Sequence, residues 1–205
     1  MQAGTPRILR IDPGRPDGDA LGAAVAALGR GELVVLPTET VYGLAADPRV
    51  PGAVDRIYRA KGRAGDKPVT LLAADAEQVK RIGADLGGAG ARLGARFWPG
   101  PLTMILRTGG AFTGFRVPDH EVARALLRRV GTALAVTSAN RSGEPPARTA
   151  QAAAEALGAE VSVILDAGPS PGGVPSTVVR VDGEKVEILR EGAIGNEEIL
   201  RAVGS

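Results

Sequence analysis

The chain has no cysteine, few aromatic residues and no long apolar run. The absence of cysteine excludes disulfides, thiolate metal sites and cysteine nucleophiles. Aromatic residues make up 3% of the chain, so few side chains are available for stacking on nucleic-acid bases. No stretch of 18 or more apolar residues occurs, and residues 1–12 lack the apolar core of a signal peptide. We therefore expect a cytoplasmic protein with no membrane partner.

The charge balance is close to neutral, and lysine is scarce among the basic residues. The chain carries 25 Lys and Arg against 23 Asp and Glu, and this net charge of +2 is too small to indicate strong nucleic-acid binding. Only four of the basic residues are lysines, and Lys61 and Lys67 lie close together. Because an ammonium is a compact point charge and a guanidinium is a planar fork, lysines placed among arginines here indicate an anion-binding site.

Alternating helical and extended patterns predict an α/β fold. At 205 residues with 44% hydrophobic side chains, the chain fits one domain. Helices are predicted at 17–31, 51–62, 75–82, 121–129, 150–156 and 197–203. Strands are predicted at 33–36, 69–73, 102–106, 115–117, 133–137, 161–165, 177–181 and 186–189. The predicted helix caps are Asp17, Asp75, Asp119, Thr149 and Asn196. This order predicts a single domain built on a twisted, mixed sheet with flanking helices.

Three familiar motifs are excluded by spacing or by neighbouring residues. No Gly-Lys dipeptide occurs, so the chain has no P-loop. Gly88, Gly90 and Gly94 have the wrong spacing for a dinucleotide fingerprint. Prolines on both sides of Ser170 prevent the turn of a hydrolase nucleophile, and the single histidine, His120, precedes that serine. We expect His120 to face solvent in the first turn of a helix.

Two polar segments each allow a functional and a structural interpretation. Lys61-Gly62-Arg63 could grip phosphate, or it could be an ordinary helix end with cations and a glycine cap. The segment 137–143 follows an apolar run, at the carboxyl end of a strand where ligands of open α/β sheets bind. Its alternative is a polar turn. Taken separately, neither segment decides between the two interpretations.

Eight short motifs follow one another along the chain. They are Pro37-Thr38-Glu39-Thr40-Val41-Tyr42-Gly43-Leu44, Lys61-Gly62-Arg63, Lys67-Pro68, Phe97-Trp98-Pro99-Gly100-Pro101-Leu102-Thr103, Arg116-Val117-Pro118, Ser138-Ala139-Asn140 with Ser142-Gly143, Pro175-Ser176-Thr177, and Leu189-Arg190 with Gly192-Ala193-Ile194. Each motif is weak alone, but the ordered combination is specific. It strongly resembles the YrdC-type threonylcarbamoyl-AMP synthase family, in its short single-domain form, over about residues 18–200.

The resemblance implies one YrdC-like α/β domain, residues 1–205, with a concave cationic cleft. It implies a nucleotidyltransferase that converts ATP, L-threonine and bicarbonate or CO2 to threonylcarbamoyl-AMP and pyrophosphate, with Mg2+ carried in on ATP. The product would serve the threonylcarbamoyladenosine modification of ANN-decoding tRNAs through a separate tRNA threonylcarbamoyl transferase complex. At most weak tRNA binding is expected of this chain itself.

Carried over motif by motif, the family's site residues fall on nine positions. The implied ATP-binding set is Lys61, Arg63, Lys67, Ser138, Asn140 and Arg190. The implied threonine-binding set is Thr40, Arg116 and Ser176. Lys61 and Arg63 are the implied catalytic residues, and no protein ligand to metal is named. Folding is expected to survive loss of Lys61, because a cation at a helix end contributes only about 0.3–1 kcal/mol.

Two positions depart from the family pattern, and two other functions remain open. Leu72 stands where many members have a histidine, and Pro146 stands where a serine is common. One alternative is a non-catalytic RNA-binding module, which the few aromatics and small net charge disfavour. The other is a carbamoyl-adenylate domain of the hydrogenase-maturation type, which uses carbamoyl phosphate and normally belongs to a much longer protein.

Overall fold

The computed structural model describes residues 5–16, 18–62 and 69–204. The predicted cap Asp17 and the predicted ATP-binding residues Arg63 and Lys67 lie outside these ranges. Within them the helices are α1 (Asp19–Gly29), α2 (Ala53–Lys61), α3 (Ala76–Arg81), α4 (Gly87–Phe97), α5 (Glu121–Val130), α6 (Ala150–Leu157) and α7 (Asn196–Val203). The strands are β1 (Arg7–Arg10), β2 (Leu33–Leu36), β3 (Gly43–Ala46), β4 (Thr70–Leu72), β5 (Ala84–Asp85), β6 (Leu102–Thr108), β7 (Ala111–Arg116), β8 (Leu134–Ser138), β9 (Val161–Asp166), β10 (Thr177–Asp182) and β11 (Lys185–Arg190).

The strands join in a single mixed sheet. Across the described ranges its order is β1-β9-β2-β3-β8-β4-β7-β6-β10-β11, with β5 paired to β6 outside that path. The sheet contains parallel pairs, such as β4 with β7 and β6 with β10, and antiparallel pairs, such as β3 with β8. The predicted α/β fold around a mixed sheet is therefore confirmed.

Helices cover both faces of the sheet, and the strand sequences show why. In β2, Val34 packs with α1 and α5, while Leu33 and Val35 pack with α2 and α6 on the other face. Successive side chains of a strand point to opposite faces, so a run of buried apolar residues requires helices on both sides. A third apolar cluster joins α4 and α7 to β6 and β10. None of the helices in the described ranges is long and apolar enough to cross a membrane.

Two of the predicted helix caps are confirmed, and two are wrong. The side chain of Asp75 accepts from the main-chain N–H of Gln78 at 2.7 Å, and that of Thr149 accepts from Ala152 at 3.1 Å. At α5 the cap position is His120 instead of Asp119, and its side chain makes no capping bond. Asn196 is the first residue of α7 and not its cap. The predicted helix start at 51 also lies two residues early, because α2 begins at Ala53.

Helix α4 is not among the predicted helices. It contains Gly87, Gly88, Gly90 and Gly94, and glycine has low helix propensity. The helix forms because Ala89, Leu93 and Phe97 recur at every fourth position and are buried against β6 and β10. A Cβ added at Gly90 would meet Val181 at 3.5 Å and Leu106 at 3.7 Å, which are ordinary contact distances, so this position faces the sheet without requiring glycine.

Candidate active site

A cavity of about 430 Å³ lies against the middle of the sheet. Strand β4 contributes Thr70 and Leu72, which are two positions apart and therefore on the same face. The polar lining is Thr38, Thr40, Thr70, Thr103, Arg116, Thr137, Ser138, Asn140, Glu144, Ser176 and Arg190. Ser138 lies at the carboxyl end of β8, as the sequence predicts, but the cavity also extends over the face of the neighbouring strands.

The cavity brings together six of the seven predicted site residues that the structure describes. These are Thr40, Arg116, Ser138, Asn140, Ser176 and Arg190. The seventh, Lys61, does not line the cavity but donates hydrogen bonds to two residues that do, Ser138 and Asn140. Both positions that depart from the family pattern, Leu72 and Pro146, also line the cavity. Their side chains therefore shape the ligand space directly.

The turn between β2 and β3 presents Thr40 to the cavity. The hydroxyl of Thr38 donates to the main-chain oxygen of Val41 at 2.6 Å and lies 2.9 Å from the hydroxyl of Thr40. It also accepts from the N–H groups of Thr40 and Val41, at 3.2 and 3.3 Å. Both threonine side chains are buried. A single hydroxyl thus fixes the whole turn, and the position of Thr40 is set before any ligand binds.

Arg116, at the end of β7, is anchored along one edge of its guanidinium. Nε donates to the main-chain oxygen of Gly100 at 3.2 Å, and Nη2 donates to the hydroxyl of Thr40 at 2.9 Å. Nη2 also lies 2.7 Å from Oε1 of Glu39. No acceptor for Nη1 is found within residues 5–16, 18–62 and 69–204. The side chain is buried but lines the cavity, so Nη1 is the nitrogen placed to meet a ligand.

Arg190 and Ser176 also line the cavity. Arg190 donates to the main-chain oxygen of Ser176 at 2.7 Å, and the hydroxyl of Ser176 lies 2.8 Å from that of Thr103. Burial of part of its guanidinium lowers the pKa of Arg190, and the charge of Arg116 lowers it further. Two guanidinium groups thus face one cavity and repel each other, an arrangement that favours an anion between them.

Lys61 holds the loop that follows β8. Its ammonium donates to the main-chain oxygens of Ser138 and Asn140, both at 2.6 Å, and to the side-chain oxygen of Asn140 at 3.2 Å. The main-chain oxygen of Lys61 accepts from Ser142 at 2.9 Å. Lys61 is 4% exposed. In this conformation its bonds fix the loop that carries Ser138 and Asn140, and direct contact of Lys61 with phosphate stays a prediction.

Tyr42 ties the cavity wall to residues 168–173. Its hydroxyl donates to the main-chain oxygen of Gly168 at 2.6 Å, and burial raises the pKa of Tyr42 to about 12. Ser170, in the same segment, is 2% exposed, and its hydroxyl has no partner among the described residues. A hydroxyl buried in this way cannot serve as the exposed nucleophile of a hydrolase, which agrees with the exclusion made from the sequence.

His120 is less exposed than the sequence predicts. It lies at the start of α5 in a partly buried position, and within the described ranges its buried Nδ1 has no partner. Burial lowers the pKa of His120, against the smaller opposing effect of the charge on Glu39. The expectation of a solvent-facing residue is therefore wrong, because the side chain is partly buried with its Nδ1 shielded from solvent.

Thr103 and Thr38 are cavity residues that the sequence analysis does not assign. Both belong to the quoted motifs, and the strand pattern offers a signal for Thr103. In β6 its neighbours Leu102 and Met104 are fully buried in the apolar cluster, so Thr103 points to the opposite face. A lone hydroxyl between core residues of a strand marks the face that lines a site. No comparable pattern distinguishes Thr38.

The carboxylates do not gather into a metal site. Within the described residues, no group of three or more His, Cys, Asp or Glu side chains could hold a metal ion. Glu144 lines the cavity, but it lies on the exposed loop after β8. The donor set consists chiefly of hydroxyls, amides and guanidiniums, which suits phosphate and carboxylate oxygens.

The structure is that of an α/β protein with a mixed sheet, whose cavity is lined by hydroxyls and two arginines that suit anionic ligands, and comparison with known proteins identifies its family. The family model described as "Sua5_yciO_yrdC: Telomere recombination" matches residues 26–192. The chain belongs to this family.

Curated relatives and solved structures support the assignment. The threonylcarbamoyl-AMP synthase of Bacillus subtilis is 38% identical over 195 residues, covering 90% of this chain and 56% of the relative. That of Idiomarina loihiensis is 38% identical over 190 residues, covering 85% of this chain and 99% of the relative. The structure of P. abyssi Sua5 complexed with L-threonine superposes with a TM-score of 0.86 at 34% identity, covering 96% of this chain and 61% of that one. The chain thus spans little more than half of the Bacillus subtilis relative.

Proposed function

We propose that this protein is a threonylcarbamoyl-AMP synthase. It is a nucleotidyltransferase that uses ATP, L-threonine and bicarbonate or CO2 and releases pyrophosphate. The observation that carries the proposal is the presence of both Arg116 and Arg190 in the lining of one cavity, in a chain of this family. Two anionic substrates must meet in such a reaction, and two guanidiniums aimed at one space suit that need.

Threonine occupies the side of the cavity formed by Thr40, Arg116 and Ser176. The threonine carboxylate binds to Nη1 of Arg116, the nitrogen that the protein's own hydrogen bonds leave available. The hydroxyls of Thr40 and Ser176 lie on either side as further donors or acceptors. The P. abyssi relative solved with L-threonine supports this assignment of the ligand.

ATP occupies the side formed by Arg190 and the loop carrying Ser138 and Asn140. Arg63 and Lys67 complete this set as proposals from the sequence. Because Arg190 bonds to the main chain of Ser176, the nucleotide set and the amino-acid set meet at Ser176. The reacting ends of the two substrates, the α-phosphate and the amino group of threonine, lie together at that junction.

The reaction needs alignment and charge neutralisation more than a dedicated nucleophile. The amine of threonine and CO2 form a carbamate with loss of one proton. A carbamate oxygen then forms a bond to the α-phosphorus, the bond from that phosphorus to the β-phosphate oxygen breaks, and pyrophosphate leaves. Arg190 lies where it neutralises charge on the phosphates, and Arg116 holds the threonine carboxylate. Lys61 contributes by fixing the Ser138–Asn140 loop, and Arg63 is the proposed direct phosphate contact.

Magnesium enters with ATP. Mg2+ commonly binds through substrate phosphates and few protein ligands, which fits a cavity with one lining carboxylate, Glu144, among the described residues. The metal neutralises phosphate charge when bound. The product then passes to a tRNA threonylcarbamoyl transferase complex, which completes threonylcarbamoyladenosine on ANN-decoding tRNAs. Binding of tRNA by this chain itself is weak at most.

Pyrophosphate release tests the proposal. Purified protein with ATP, Mg2+, L-threonine and bicarbonate should release pyrophosphate, and omission of threonine should abolish the release. A protein that binds RNA but releases no pyrophosphate would support the RNA-binding alternative. Release that requires carbamoyl phosphate in place of threonine and bicarbonate would support the hydrogenase-maturation type.

A further inference from the structure

We propose that Glu39 is a positioning residue for Arg116, and that it acts on threonine binding through the guanidinium without touching the substrate. This inference rests on the proposed function, because it takes Arg116 to be the group that binds the threonine carboxylate. None of the ATP-binding and threonine-binding residues inferred from the motifs is Glu39.

The Glu39 carboxylate is placed to act on Arg116. Its Oε1 lies 2.7 Å from Nη2 of Arg116, and the two side chains keep 16% and 9% of their surface exposed. Among the described residues neither carboxylate oxygen makes a well-aligned hydrogen bond, and both oxygens are buried. Glu39 is also absent from the cavity lining. A covered carboxylate of this kind cannot reach a ligand, so its effect passes through the arginine.

Hydrogen bonds from two segments hold the main chain of Glu39 in place. The turn is fixed by the hydroxyl of Thr38, and the main-chain oxygen of Glu39 accepts from the N–H of Gly172 at 2.9 Å. The next residue, Thr40, accepts from Gly173 at 2.8 Å. A Cβ at Gly172 would lie 2.7 Å from that oxygen of Glu39, so residue 172 must be glycine for this approach. These bonds fix the main chain of Glu39, so its carboxylate is held in place beside Arg116.

Anchoring decides which edge of the guanidinium meets the ligand. Nε and Nη2 are directed to Gly100, Thr40 and Glu39, which fixes the plane and leaves Nη1 toward the cavity. Without the Glu39 carboxylate, the guanidinium keeps its bonds to Gly100 and Thr40 but loses the charged partner at 2.7 Å from Nη2, so its plane is held less firmly. Misplacement of a binding group by a fraction of an ångström costs binding, because hydrogen bonds weaken steeply with distance and angle.

Glu39 also carries a charge that could act in the opposite direction. A carboxylate beside Arg116 repels the threonine carboxylate, so a residue that only competed for the guanidinium would weaken threonine binding. Removing it would then tighten binding. Positioning of Arg116 and competition for its guanidinium therefore predict opposite changes in the affinity for threonine. The hydrogen-bonded main chain and the buried carboxylate oxygens of Glu39 favour the positioning role.

The test compares Glu39→Ala, Glu39→Gln and Glu39→Asp with the wild type. Isothermal calorimetry measures binding of L-threonine, steady-state kinetics measures KM for threonine and for ATP, and thermal unfolding measures stability. Glu39→Ala should weaken threonine binding and raise its KM about tenfold, with KM for ATP unchanged. Glu39→Gln should recover most of this loss, because its amide oxygen can occupy the position of Oε1 beside Nη2. Glu39→Asp, with a shorter reach, should lie between and serves if Glu39→Ala does not fold.

The control is Glu77→Ala, which removes an exposed carboxylate paired with Lys80 on the surface and should leave all these values unchanged. Unchanged or tighter threonine binding in Glu39→Ala overturns the inference. So does an equal rise in both KM values together with a lower melting temperature, because that pattern belongs to a general scaffold residue. If the wild type binds no threonine, the proposed function fails instead, so the two failures are distinguished.

Discussion

The ammonium of Lys61 donates to Asn140 twice, to its main-chain oxygen at 2.6 Å and to its side-chain oxygen at 3.2 Å. This pair joins the end of α2 to the loop after β8, across 79 positions of sequence. Sequence alone allows the cation to be an ordinary helix-end residue, and its burial shows otherwise. The Lys61–Asn140 contact therefore supports both the fold and the wall of the cavity.

Lys61→Ala should lower the free energy of unfolding by about 1–3 kcal/mol, measured by urea denaturation. The substitution removes the ammonium donor from the main-chain and side-chain oxygens of Asn140, which are buried, and from the main-chain oxygen of Ser138, which keeps the N–H of Asn140 at 3.0 Å. This loss is larger than the value of about 0.3–1 kcal/mol expected of a helix-end cation, and survival of folding stays a prediction. Lys80→Ala is the control, because Lys80 is 54% exposed and pairs with Glu77 at the surface. Equal stability of the two variants would contradict the account.

Asn140 should also contribute to the stability of the loop that Lys61 holds. Its side-chain nitrogen donates to the main-chain oxygens of Arg141 and Glu144, at 2.9 and 2.7 Å. Asn140→Ala should therefore weaken ATP binding and also lower the free energy of unfolding. In a double-mutant cycle, Lys61 and Asn140 should show a coupling of about 0.5–3 kcal/mol. Strictly additive losses would mean that the two residues act independently.

Arg116→Lys should raise KM for threonine about tenfold or more, the equivalent of roughly 1.4 kcal/mol, with little effect on KM for ATP. A lysine cannot reproduce the planar fork that contacts Gly100 and Thr40 while offering Nη1 to the cavity. Steady-state kinetics with each substrate varied in turn measures the split. If ATP is impaired and threonine spared, Arg116 belongs to the phosphate set.

Gly192→Ala should impair the threonine side of the cavity. A Cβ at residue 192 would lie 2.4 Å from the main-chain oxygen of Pro175 and 2.6 Å from that of Ser176, so the Pro175–Ser176 wall must move. We expect KM for threonine to rise at least several-fold and stability to fall by about 1–3 kcal/mol. Gly195→Ala is the matched control, since a Cβ there meets no atom within 4 Å and the φ of −70° suits any residue. Similar behaviour of both variants would refute the steric argument.

His120 should make the protein less stable as the solution becomes mildly acidic. Burial lowers the pKa of His120 in the folded state, so the unfolded chain takes up the proton first. The contribution of neutral His120 to the stability of the folded protein is complete above its pKa in the unfolded chain, about 6.5. This contribution is lost as the pH falls through that value toward the lower pKa of the folded state. His120→Asn should therefore flatten the fall in melting temperature between about pH 7.5 and pH 5.5. Identical slopes in variant and wild type would show that His120 does not carry this dependence.

The sequence predicts the parts of the molecule that local patterns determine. The caps at Asp75 and Thr149 and the buried strand β2 follow from side-chain type and hydrophobic spacing, and all three are present. Strand β3 was not predicted, because its sequence Gly-Leu-Ala-Ala has no strand signature, and it forms through pairing with β2 and β8 on its two sides. Such pairing depends on residues far apart in the chain.

In the candidate site too, local motifs predict some residues, whereas contacts between distant segments could not be predicted. Ordered motifs point to Thr40, Arg116 and Ser176, and the structure brings these to one cavity. The bonds from Lys61 to the loop after β8 and the contact of Glu39 with Arg116 could not be predicted, because each joins segments more than 70 positions apart. The alternation of strand β6 would have revealed Thr103 once its register was known.

Mass spectrometry of the reaction product tests the central claim most directly. The protein is incubated with ATP, Mg2+, bicarbonate and isotopically labelled L-threonine, and the nucleotide products are separated and their molecular masses measured. The account predicts an adenylate that contains both AMP and the threonine label joined through a carbamoyl group, formed in step with pyrophosphate. A product without the threonine label, or AMP and pyrophosphate formed equally without threonine, would contradict it.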